Sequence, residues 1–218
     1  MVFVKMFQAG GIVAWPLLGF SLLAVALIIE RLIFWARLQS NQQNVVVDVF
    51  KLYRSDADPM VAIRRLKQHA DLPIARIFLE ALELEDATPT EFRLALESAT
   101  QAELPLLKRY NTLFQTIITV SPLLGLLGTI LGLMQSFASL KLGSANTTNA
   151  AGVTSGISEA LISTVMGLVV AISVLLFANA FRSLYQRQIA FIQEYGGQLE
   201  LLYRRLHEKG GRQYASSR

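Results

Sequence analysis

One acidic side chain inside an apolar run constrains this chain more than any other feature. The stretch from Gly156 to Phe181, GISEALISTVMGLVVAISVLLFANAF, is apolar enough and long enough to cross a bilayer, yet it carries Glu159 near its start. A charge at the centre of a membrane span costs roughly 2.5 to 3.5 kcal/mol on the insertion scale, so such residues mark ion paths or paired sites.

The remaining composition agrees with a membrane setting. The chain is 53% hydrophobic and 17% charged over 218 residues, with a mean hydropathy of +0.43. The net charge of +4 does not read as a nucleic-acid surface, because Lys and Arg cluster at the ends of apolar runs, as topology requires. There is no cysteine, hence no disulfide framework and no thiol chemistry. His69 and His207 stand far apart and off the apolar runs, so no metal or other cofactor is expected. No Ser/His/Asp set and no strand-preceded phosphate loop is present, and the chain reads as a non-enzyme.

Taken in order, Ile12 to Ile29 is an unbroken apolar run, about 27 Å long as a helix, closed by Glu30-Arg31. Trp15 and Trp35 lie near its ends, where interfacial rings belong. A cleaved signal would carry a basic flank in front and a small-residue cleavage site; here the cations Arg31 and Arg37 follow the run, which predicts a retained first span within 1–36. Residues 37–108 turn polar, with apolar stripes at helical spacing: Val45, Val46, Val49, Phe50 and Tyr53; Val61, Ile63 and Leu66; Ile74, Ile77, Phe78, Ala81 and Leu82. Asp56-Ala57-Asp58-Pro59 and Asp71-Leu72-Pro73 separate them. This predicts a cytoplasmic helical domain whose acidic residues are solvated faces.

Thr88-Pro89-Thr90-Glu91 is a helix start with a capping box. With no strong stop before about residue 140, one long helix is expected, kinked at Pro105, with its membrane part, 109–140, as the second span. Within it Ser121, Gly125, Gly128, Thr129, Gly132 and Ser136 recur at spacings of three and four. Such a stripe lets another helix approach closely, and Gly128/Gly132 form a GxxxG pair. A polar loop, 141–152, leads into the third span, 153–181, where Gly152 and Gly156 form a second pair. On that helix Ser155, Glu159, Ser163 and Ser173 fall within about 40° of Glu159. Residues 182–218 continue as an amphipathic helix and end in a Gly-rich, basic tail expected to be disordered. Residues 31–109 hold 11 of the 20 Lys and Arg, and 182–218 hold 7. The positive-inside rule therefore places both in the cytoplasm, with the N-terminus and the 141–152 loop outside. The expected fold is an all-α integral membrane protein with three transmembrane helices and long cytoplasmic extensions.

Two linked motifs, SPLLGLLGTILGLM (121–134) and GISEALISTVMGL (156–168), make this layout similar to the ExbB/TolQ/MotA proton-channel family, nearer to ExbB and TolQ than to four-span MotA chains. Arg31 and Asn179 also match the family pattern. The resemblance implies a pentamer of this chain around a dimer of a single-span ExbD/TolR-like protein, working with a TonB-like protein in the bacterial inner membrane. It implies a proton pathway through Glu159, Thr129 and Thr164. Thr164 is off the Glu159 face of an ideal helix, which suits interhelical packing. The chain departs from ExbB and TolQ at Ser173, where they commonly have proline, and at Ala178, where a tyrosine is frequent; without the proline the third span is expected to be straighter. Two other classes compete with a proton channel. One is a membrane scaffold whose glycine stripes only join helices and whose Glu159 pairs with a cation; however, the charges near the spans stand at their ends. The other is a small-solute carrier, which three spans without an inverted repeat do not easily build.

Overall fold

The computed structural model describes residues 11–54, 59–141 and 148–216. Every regular element among them is helical. A single 3-10 turn, Gly11–Val13, leads into α1 (Ala14–Arg54), followed by α2 (Pro59–Lys67), α3 (Pro73–Leu82), α4 (Pro89–Leu107), α5 (Asn111–Lys141) and α6 (Thr148–Ser216). Three helical stretches, Gly11–Tyr53, Pro89–Ala138 and Val153–Glu208, each contain a part long and apolar enough to cross a membrane. Only 33, 28 and 28% of their most apolar windows is buried within the chain. Leu22, Leu123, Leu161 and Leu176 are among the many large apolar side chains left outside. In water that exposure would be untenable; in lipid it is the expected surface.

The chain divides into two compact units, one joining the residues up to Arg31 with Tyr110–Phe181, the other joining Leu32–Arg109 with Arg182 onward. In the first, the span unit, Arg31 is 2% exposed. Its guanidinium donates to the neighbouring Glu30 carboxylate at 2.6 and 2.9 Å and lies 5.2 Å from the centre of the Tyr110 ring. Tyr110 has φ +65. That residue corrects the expectation of one helix from 88 to 140: α4 ends at Leu107 and α5 begins at Asn111. The physical reason is the left-handed backbone at Tyr110, which no helix continues through; the last turn before it closes through Lys108 N–H to the Leu104 carbonyl and Arg109 N–H to that of Leu106. Pro122, by contrast, is carried inside α5 without a break.

The second, helical unit has a conventional core. Val45, Val46, Val49, Phe50, Ile74, Ile77, Phe78 and Ala81 are buried, as their spacing predicts. The stripe expected on α2 differs: Ala62 and Leu66 are buried, Val61 is exposed and Ile63 is intermediate. Thr88 and Glu91 form the capping box. Arg76 holds the Glu103 carboxylate by two bonds of 2.6 Å, and this pairing raises the Arg76 pKa further, chiefly through the hydrogen bond itself. Burial and the nearby Tyr203 push the Tyr53 phenol up to about 12. At the other end of the chain, α6 runs on to Ser216, so the tail expected to be disordered is helical to that point. The expected loop 141–152 falls mainly on residues 142–147, which lie outside the described residues, and helix resumes at Thr148.

Candidate functional site

The site is built on the seam where α5 meets α6. The seam is made of small residues because only they let two backbones come this close. A Cβ placed on Gly125 would stand 3.0 Å from the Ser163 carbonyl oxygen and 3.1 Å from the Thr164 Cα. One on Gly132 would stand 2.7 Å from the Gly156 carbonyl and 3.0 Å from the Ala160 Cβ. Gly128 faces the Ser163 side chain and Gly156 faces Ser136. Gly167, which the sequence motifs did not single out, is the tightest against backbone, 2.5 Å from the Ser121 carbonyl. Its signal was present, since Gly156, Ala160, Ser163 and Gly167 continue one helical stripe. Gly152 lies in α6, but its surroundings fall outside the described residues.

Hydroxyls inside the seam are spent on backbone carbonyls. Ser163 donates to Ala160 at 2.8 Å and approaches Gly125 at 3.3 Å. Thr164 donates to the same Gly125 carbonyl at 3.3 Å. Ser136 donates to Gly132 at 3.0 Å and approaches Val153 at 3.3 Å. Thr129 donates within its own helix, to Leu126 at 2.6 Å. Ser121 is fully buried, and its hydroxyl has no partner.

Glu159 is half-buried on one flank of this seam. Its carboxylate rests against Gly11 in the 3-10 turn that opens the first span. Among the described residues no ion pair or hydrogen bond to Glu159 is present. At about 100° per residue, Glu159 and Thr164 stand about 140° apart, on opposite flanks. Val13 of the opening turn reaches Gly128, to within 3.6 Å of a Cβ placed there. Thr129 lies about 100° round α5 from Gly128, on the flank away from that turn. One subunit therefore does not gather Glu159, Thr129 and Thr164 into a single cluster. The serine face expected around Glu159 also divides, with Ser163 buried in the seam and Ser155 and Ser173 exposed.

The family model described as the MotA/TolQ/ExbB proton channel family matches residues 69–194, more than half of the chain. The chain belongs to that family. Among its relatives, a putative biopolymer transport protein ExbB-like 3 from a Synechocystis strain is 74% identical over 97% of this chain and all of its own length. A second protein of that strain, a putative biopolymer transport protein ExbB-like 1, is 41% identical over 91% of this chain and 78% of its own. A biopolymer transport protein ExbB from Salmonella typhimurium is 44% identical over 34% of this chain and 29% of its own. The matched region contains the whole α5/α6 seam with Glu159. Membership of this family and the three apolar stretches make the chain a multi-pass membrane protein.

Proposed function

We propose that this chain is the proton-channel subunit of an ExbB-type energy transducer, with Glu159 as the group that takes up and releases the proton. The observation that carries the reading is a half-buried carboxylate, the one charged side chain of the run 153–181, beside the seam of a family described by proton conduction. Thr129 and Thr164 supply hydroxyls on the other flank. The subunit works in the bacterial inner membrane, with the N-terminus outside and the helical unit in the cytoplasm, where its cations belong. It assembles as a pentamer around a dimer of an ExbD/TolR-like single-span protein and passes work to a TonB-like protein for transport across the outer membrane. The ExbB names of its relatives favour this over a TolQ-like role in envelope maintenance.

The energetics set the requirement. One proton crossing about 100 mV releases roughly 2.3 kcal/mol, so a large mechanical step draws on several. The test is Glu159→Gln in the full chain, co-reconstituted with its single-span partner. Proton flux into vesicles falls to background while the assembled complex keeps its size. Flux at the wild-type rate in that variant removes Glu159 from the path and returns the chain to the scaffold class.

A further inference from the structure

The first span meets the carboxylate at one residue. Gly11 opens the 3-10 turn with φ +64, a conformation that costs an L residue roughly 1 to 2 kcal/mol. A Cβ placed there would overlap Glu159 Oε1 and stand 2.8 Å from its Cδ and 3.3 Å from its Cγ. Backbone and space thus both call for glycine at one position, for separate reasons. The turn itself is held, since Val13, Ala14 and Leu17 are at most 3% exposed and Val13 packs towards Gly128. The carboxylate therefore rests on a fixed surface at the start of the first span.

We infer that Gly11 is a positioning residue for Glu159: the bare Cα at the mouth of the first span is the surface that sets where the carboxyl group sits. The inference rests on the proposed role of Glu159 for its functional meaning, but not for its geometry. In this arrangement the first span is part of the site and not merely an anchor. A side chain at position 11 has to push the carboxylate off its surface, because the glutamate tip is the mobile partner and the seam behind it is not.

The test uses the full chain in lipid vesicles and reads the carboxyl C=O stretch of Glu159 by pH-difference infrared spectroscopy, the band being assigned by its loss in Glu159→Gln. Gly11→Ala shifts that band. With the single-span partner present it lowers proton flux by roughly tenfold or more, the scale on which ångström misplacement of a reacting group acts. Backbone strain alone predicts the same loss of flux, so two further variants separate the causes. Gly11→Asn, which tolerates the left-handed conformation, also shifts the band. Glu159→Asp, which shortens the side chain by one carbon, restores flux in the Gly11→Ala background relative to Gly11→Ala alone. An unshifted band in both position-11 variants, or no rescue by Asp, overturns the assignment. A shifted band in a chain whose flux never depended on Glu159 upholds the geometry and sinks only the proposed function.

Discussion

In the span unit α5 and α6 meet through glycines, with so little room that a Gly132 Cβ would stand 2.7 Å from the Gly156 carbonyl. In the helical unit the helices meet through rings and ion pairs. Phe92 stacks on Tyr203 with centroids 4.0 Å apart, Phe50 meets Phe78 edge-on at 6.3 Å, and Arg76 grips Glu103. The solvent accounts for the difference. Lipid gives no reward for hiding Leu123 or Leu176, so helices there associate through close van der Waals contact at small residues. Water rewards burial of every large apolar group, by about 25 cal/mol per Å².

The contrast is broken most easily at its strongest point. Phe78→Ala, at a residue with no exposed surface, is expected to cost about 3 to 5 kcal/mol in chemical denaturation of the detergent-solubilised chain. Leu176→Ala, at a side chain 67% exposed, leaves the same transition in place. Equal losses would mean that both units rest on one kind of core.

Glycines sharpen the comparison because the sign should reverse. Gly132→Ala forces a methyl against backbone and costs on the order of 1 to 3 kcal/mol. Gly196 and Gly197 sit inside α6 in the helical unit with open space above them. Alanine at either gains about 1 kcal/mol of helix propensity. Thermal unfolding of the three variants in one detergent checks both directions.

The smallest effect lies at the cap of α4. Hydrogen bonds from the Thr88 backbone and hydroxyl hold the Glu91 carboxyl below its usual range. A depressed carboxyl contributes stability that is full above its unfolded value and disappears as pH falls through the folded one. Glu91→Gln keeps an acceptor but removes the charge, so its difference from the wild type in denaturation vanishes on acidification below the usual glutamate range. A difference that persists there assigns the effect to packing. Thr88→Ala removes the other half of the box, at about 1 kcal/mol near neutral pH, and the part of that loss owed to its bond with the Glu91 carboxylate fades on acidification.

Much of this was legible from residue order. Apolar runs mark the spans, the stripes from Val45 to Leu82 mark most of the helical core, and Thr88-Pro89-Thr90-Glu91 marks a cap whose bonds form as written. The break at Tyr110 was not legible, because left-handed backbone there carries no glycine or asparagine to announce it. Its supports, the Arg31 guanidinium and the turn after Pro105, are tertiary or several residues away. Gly11 was silent for a similar reason: its meaning lies in Glu159, 148 positions along the chain. The motif around Glu159 pointed to the residue but not to its neighbours, since helical angle alone separates it from Thr164 without saying what covers the remaining flank.

The engaged state of Arg31 has a consequence for how the first span sits in its bilayer. A free arginine at a span's end can stretch towards the headgroups and let the helix ride higher or lower as the membrane thins or thickens. This one is already committed to Glu30 and the Tyr110 ring. It works as a fixed draught line, and a change in bilayer thickness has to be absorbed by lipid or by tilt.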